Sequence, residues 1–382
     1  MLISWFSPAP VISSKRKKTS IVAKPLTSKS WAPYIIPSFV CFLASLAYPN
    51  RPLQLPYKDP NGIMRVIAAE TSVTGRIVVQ ENHEIGFRFL RADHSLLGGQ
   101  WIDVPSSKGQ LGDSIYTAFL LQEGARFVQR PKQQKKKRES ALIIGLGVGI
   151  SAGSFMKHGL DTTVVEIDPV VYHYAKQYFG LKTPSAVHLT DARGWVHTQP
   201  AEPKYDIVVH DCFSGGSVPA HIFTREFWGD LKRVLAPDGV VAVNYAGYLG
   251  SNPARGILAT LLDSFSQCRV FHDRLATDTD DSDFLNMVFF CSNAQEKMTF
   301  RRAAKADYLN SIMRQRLFDA WPTLEVSHAR IRGLNATDVG VKDEEWVLTD
   351  KHNPLSEWQH ESALHHWQLM REILSKVYWE SF

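Results

Sequence analysis

The chain has 382 residues, 44% of them hydrophobic and 21% charged, with a formal net charge of +5. This is the composition of a soluble globular protein with room for one large core plus extensions. Its four cysteines, Cys41, Cys212, Cys268 and Cys291, make no C-x-x-C pair, and no two histidines stand four apart. A disulfide framework, a zinc site and a helical histidine metal site are therefore set aside, and a reducing compartment, the cytoplasm, is expected.

Residues 1–62 read as a basic and apolar extension. Positions 1–58 hold no Asp or Glu, and Lys15, Arg16, Lys17 and Lys18 precede an apolar stretch from Tyr34 to Tyr48. That stretch is short for a bilayer span. Membrane association through 34–48, an organelle transit peptide and an ordinary extension are the three readings, and the last is the simplest. Residues 63–129 read as a small β-rich module. Gly75–Val79 and Ile85–Leu90 are expected strands joined at Glu81, Asn82 and His83. The segment Gly112–Leu121, GDSIYTAFLL, then reads as a helix start, with Asp113 either its N-cap or a site residue. The basic run within 130–139 reads as a solvated linker. No aromatic residues interleave its lysines, so it gives no strong nucleic-acid signal.

Residues 140–293 carry the chemistry. Ala141–Phe155, ALIIGLGVGISAGSF, is an apolar strand breaking into Gly145, Gly147 and Gly149 before a helix start, the way an open α/β sheet brings bare backbone against a nucleotide-like ligand. Glycine stands at the first, third and fifth positions of this run and not at the sixth, which favours a nucleoside without a pyrophosphate over a nicotinamide or flavin dinucleotide. The next strand, Thr162–Ile167, carries Glu166 twenty-one residues after Gly145, where a carboxylate accepts from both ribose hydroxyls. Ser185–Leu189 leads to Asp191 and Ala192, a place to meet an adenine amino group. Tyr205–Val209 is a buried strand whose exit puts Asp211 over the carboxyl edge of the sheet. An amphipathic helix over Pro219–Leu235, a turn at Pro237–Gly239, a strand Val240–Asn244 and two late strands, Cys268–His272 and Phe284–Cys291, complete the pattern, the last two joined by the acidic loop Asp278–Asp283. The expected fold is α/β: a doubly wound, mostly parallel, Rossmann-like class I methyltransferase sheet with an antiparallel end, preceded by the small β-hairpin domain. Residues 294–382 read as a helical extension, over Ala303–Trp321 and Glu357–Trp379, that covers the sheet edge or builds a homodimer contact.

Taken together, GDSIYTAFLL, LIIGLGVG, VVEIDP, TDAR, YDIVVHD, the PAHIFTREFW helix with LAPDGVVAVN, and VLTDKHNPL near the C-terminus resemble the spermidine and spermine synthases, the polyamine aminopropyltransferases. The resemblance implies that Gly145, Gly147 and Gly149 line the nucleoside loop, that Glu166 binds the ribose, that Asp191 and Ala192 meet the adenine, and that Asp211 opens the catalytic loop. It also implies a role for Asp113 and Tyr116 beside the amine. The synthases read D-S-S-D-P or D-S-T-D-P in that loop; here it reads Asp211, Cys212, Phe213, Ser214, Gly215, with serine at the second aspartate. The implied reaction is aminopropyl transfer from decarboxylated S-adenosylmethionine to a small amine, without a metal. Methyl transfer from S-adenosylmethionine to a protein amine or small molecule is the alternative, and a nucleoside-binding scaffold without catalysis is a third reading. Both transfers are in-line displacements at a sulfonium and differ in the carbon presented.

Overall fold

The structure, a computed structural model, describes residues 32–47, 55–102, 112–130, 138–213, 215–275, 284–333 and 343–380. The chain divides into two units, Met1–Leu53 and Gln54–Phe382. In the first, the helix Ala32–Ala47 is free of charged residues and holds Pro37 in its interior. Its 16 residues reach about 24 Å, less than the about 30 Å of a hydrocarbon core. Among the described residues no helix is long and apolar enough to cross a membrane. Lys15–Lys18, most of the 130–139 run and the acidic loop Asp278–Asp283 lie outside the described residues.

The second unit contains two sheets among its described residues. The smaller is an antiparallel meander of five strands, β1 (Tyr57–Lys58), β2 (Met64–Ser72), β3 (Gly75–Asn82), β4 (Phe87–Ala92) and β5 (Ser95–Trp101), paired in chain order. The larger has eight: β6 (Ser140–Ile144), β7 (Asp161–Glu166), β8 (Ala186–Leu189), β9 (Tyr205–His210), β10 (Leu235–Tyr248), β11 (Gln267–His272), β12 (Phe284–Ser292) and β13 (Glu325–Val326). Their order is β13-β11-β12-β10-β9-β6-β7-β8, with β10, β9, β6, β7 and β8 parallel and the other three antiparallel. This is the doubly wound sheet with an antiparallel end. Both faces of its middle strands are covered, so β6 and β9 carry continuous apolar stretches, Ala141–Ile144 and Ile207–Val209. The chain leaves β6 toward β7 and β8, then returns to lay β9 on the other side of β6. The switch point therefore falls between β6 and β9, where ligands bind in such sheets.

Several elements differ from the sequence reading. The expected helix Pro219–Leu235 is a 3₁₀ turn, Ala220–Ile222, and a separate helix, Arg225–Lys232. Thr224 divides them, because its side chain accepts from the Phe227 N–H and starts a new helix. The helix expected from Gly112 begins only at Ala118 and tightens into a 3₁₀ turn over Gln122–Phe127. β10 runs straight through Pro237–Gly239, which form an irregularity in its pairing with β9 rather than a turn before it. The stretch Ala303–Trp321 is broken by Leu309 and Asn310, both with positive φ. Cys268 and Cys291 are joined by a disulfide, which corrects the expectation of unlinked thiols. Their separation of 23 residues hides the fact that β11 and β12 place them directly opposite each other, with Cα atoms 4.1 Å apart.

The small sheet is covered on both faces. Ile77, Val79 and Leu90 pack on the helix Pro169–Phe179 of the large domain. Val78, Phe87 and Phe89 pack instead on Met370 of the helix His360–Ile373, on its C-cap Leu374, and on Tyr378 of the helix Lys376–Glu380. Double coverage explains why β3 shows little polar alternation. Its buried Gln80 accepts from Arg91 Nε at 2.8 Å and donates to the Tyr378 carbonyl at 3.3 Å, tying the sheet to the last helix.

Candidate active site

A cavity of about 410 Å³ opens over the carboxyl ends of β6, β7, β8 and β9. Its floor is the glycine turn after β6. Gly145 sits at φ +82, and a Cβ there would lie 2.1 Å from the Asp211 carbonyl, so only bare backbone lets the two strand ends meet. Gly147 has φ +53, and its missing Cβ makes room for the Leu97 carbonyl of β5, 2.3 Å from where that atom would be. Both residues line the cavity. Gly149 lies behind them as the left-handed N-cap of the helix Ile150–Lys157, packed toward Leu181 and outside the wall.

Glu166, at the end of β7, is buried and reaches across to the glycine turn. Its Oε2 accepts from Leu146 N–H at 2.8 Å and its Oε1 from Asp168 N–H at 2.9 Å. Each oxygen keeps a lone pair for a further donor, which is what a ribose diol presents. Burial pushes its pKa up to about 7 against the pull of those two N–H groups. Asp168 caps the helix Pro169–Phe179 and also accepts from Ser72 Oγ and Thr74 Oγ1, both at 2.6 Å, so the β2–β3 turn is pinned beside Glu166. Asp191, after β8, caps the helix Ala192–Thr198 through Gly194 N–H and lies 3.1 Å from His221 Nε2. Burial works against its ionisation, but these two partners hold its pKa below the usual value. Ala192 adjoins it in the wall. These residues fit a nucleoside: buried acceptors for the sugar, a polar edge for the base and open backbone beneath.

Asp211 follows β9. Its Oδ2 accepts from Gln122 Nε2 and its Oδ1 from Asn244 Nδ2, both at 2.8 Å. Gln122 is itself oriented by Ser151 Oγ, which donates to its Oε1 at 2.6 Å. Burial raises the Asp211 pKa while the two amides moderate the rise. Gln122 gave no signal in the sequence. Asn244 lies toward the carboxyl end of β10 beside β9, and the rule that located Asp211 would have located it too. The thiol of the neighbouring Cys212 is driven well above its ordinary pKa by burial and nearby carboxylates.

Tyr116 is also in the wall, its hydroxyl 3.7 Å from Met370 Sδ, with its pKa raised by burial. Asp113 is not. It accepts from Ser311 Oγ at 2.7 Å and pairs with Arg314 at 3.3 Å, and Arg314 is held in turn by the buried Glu123. Asp113, expected beside the amine, is instead engaged by the C-terminal extension, which supplies it with a cation. Ser214 lies outside the described residues. Part of the remaining wall comes from the helix His360–Ile373, which contributes His366, Leu369, Met370 and Ile373. The VLTDKHNPL motif steers the chain there. Asp350 binds Thr224 Oγ1 and Arg193, Asn353 donates to the Ala220 carbonyl, and Gln359 bonds both backbone groups of Val218.

Residues 125–249 match the spermine/spermidine synthase domain. The chain is 38% identical over 326 residues, 83% of its length, to an N-terminal histidine N-methyltransferase of Emericella nidulans. It is 38% identical over 188 residues, 48% of its length, to a polyamine aminopropyltransferase of Vibrio vulnificus. It spans 58% and 60% of the lengths of those two relatives. A crystal structure of a probable spermidine synthase from Corynebacterium glutamicum shares the fold, with a TM-score of 0.50 and 17% identity over 65% of this chain and 87% of that one. In fold and in motifs the chain is similar to the spermidine and spermine synthases, and the match to their domain is confined to residues 125–249.

Proposed function

We propose that this chain is an S-adenosylmethionine-dependent N-methyltransferase whose acceptor is the amine at a protein N-terminus, with histidine as the first residue to try. The observation that carries this reading is the charge of the acceptor end. Among the described residues Asp211 is the one carboxylate there, and its neighbours in the wall, Tyr116, Phe213, Asn244, Phe284 and His366, are aromatic or uncharged. A diamine carries two positive charges at neutral pH and needs a second carboxylate for its distal ammonium. Asp113 is already paired with Arg314. The identity to the N-terminal histidine N-methyltransferase, which extends over most of this chain, supports methyl transfer to a nitrogen of an N-terminal residue over aminopropyl transfer to a diamine.

S-adenosylmethionine supplies an electrophilic methyl carbon on a sulfonium. In this reading Glu166 accepts from the ribose hydroxyls, Asp191 and Ala192 face the adenine, and Gly145 and Gly147 bring bare backbone against the rest of the donor. Asp211, oriented by Gln122 and Asn244, accepts a hydrogen bond from the acceptor amine and aims its lone pair at the methyl group. The N–C bond forms as the C–S bond breaks, the electron pair stays on sulfur, and the amine proton passes to Asp211, whose raised pKa suits a base. The test is incubation with S-adenosylmethionine or its decarboxylated form against a histidine-starting peptide, its N-acetylated counterpart, putrescine and spermidine. S-adenosylhomocysteine and a methyl-group mass gain with the free-amine peptide alone are expected. Methylthioadenosine formed from the decarboxylated donor and a diamine would overturn the reading.

A further inference from the structure

We infer that His366, on the C-terminal helix, is an acceptor-binding residue, and that with Asn244 it recognises an N–H-bearing acceptor entering the cavity; this rests on the methyl-transfer reading above. Both side chains line the cavity. Both are more than nine-tenths buried, at 8% exposure for His366 and 6% for Asn244. Yet His366 Nδ1 and Asn244 Oδ1 have no hydrogen-bond partner among the described residues. A buried polar atom left unpaired is costly and calls for a reason, and a ligand that completes its bond is one.

The geometry around His366 is firm. Its ring lies 5.2 Å from Phe213, edge to face, and 6.5 Å from Phe284. Ser362, His366 and Met370, four residues apart, form the buried face of their helix. Gln359 anchors the start of that helix to Val218, in the loop that follows Asp211, with bonds of 2.7 and 3.1 Å. The imidazole and the Asp211 loop are thereby braced against each other. Burial, aided by His365, pushes the His366 pKa down to about 4. The ring is neutral at physiological pH, so it accepts a hydrogen bond and sets no positive charge against an incoming amine. Asn244 divides its two ends: Nδ2 holds Asp211 and Oδ1 is left for the acceptor. A primary ammonium arriving beside a flat ring has one N–H each for Asp211, His366 Nδ1 and Asn244 Oδ1, and once a proton is released to free the lone pair its two remaining N–H groups stay with Asp211 and one of these acceptors, while the ring lies among Phe213, Phe284 and Tyr116.

The test is steady-state kinetics of the full chain at saturating S-adenosylmethionine, with the histidine-starting peptide as acceptor, alongside donor affinity by calorimetry. His366→Phe keeps the ring packing and removes the acceptor nitrogens. Its kcat/KM for the amine should fall by about tenfold or more, chiefly through KM, with donor affinity within about twofold of wild type. His366→Gln restores an acceptor atom and should recover much of the loss. Wild-type kinetics in His366→Phe, or parallel losses of amine and donor binding in both variants, would overturn the inference and leave the methyl-transfer reading standing. A wild type that binds the donor but methylates no amine would overturn both.

Discussion

In the methyl-transfer reading, the two ends of the cavity are built in opposite ways. The donor end comes from successive strand exits of one sheet, and its carboxylates are already bonded: Glu166 to two backbone N–H groups, Asp191 to Gly194 and His221. The acceptor end is assembled from segments far apart in the chain, around Tyr116, Asn244 and His366, and leaves buried polar atoms without partners among the described residues. Preorganised groups suit a co-substrate that never changes. Groups that are costly while empty suit discrimination, because a molecule that cannot satisfy them is penalised.

Substitutions test this division, beginning with the largest effect. Asp211→Asn keeps the shape of the side chain and removes its charge, so turnover should fall by about a hundredfold or more, while calorimetry should find donor affinity little changed. Near-normal turnover would dissolve the distinction between the two ends. Glu166→Ala should do the reverse and weaken donor binding by about tenfold to a hundredfold, the range expected for bonds to a charged acceptor. Because Glu166 titrates near 7 and only its ionised form leaves all its acceptor sites free, affinity should decline as pH falls. With a pKa of about 7, the ionised fraction drops about tenfold between pH 8 and 6, and donor affinity should follow. Glu166→Gln should flatten that dependence. Asp113→Asn gives the smallest effect: turnover within about twofold, and a loss of about 1 kcal/mol in unfolding experiments, because Arg314 keeps its bond to Glu123.

The same asymmetry decided what could be read from the sequence. Gly145, Gly147, Glu166, Asp191 and Asp211 each follow or end an apolar run, and in an open parallel sheet a strand exit is already an address. Asp113 had no such address. Its surroundings depend on Arg314, some two hundred residues away, and no periodicity reports a pairing over that distance. His366 sits in a helix whose amphipathic pattern says only that one face is buried, and not that the face meets a ligand. The fold was legible for the same reason the donor end was. Its departures came where a local group overrode the pattern, as when Thr224 stopped one helix and began another, or where pairing across strands joined Cys268 to Cys291.

Gly147 carries a consequence for protein engineering. Its absent side chain makes way for a carbonyl of the small sheet, at Leu97, so the small sheet is no interchangeable accessory to the large one. A chimera that borrowed a different module would need a strand whose backbone reaches the same point. An alanine at position 147 would act as a wedge between the two sheets, loosening the joint between modules rather than simply crowding the nucleoside.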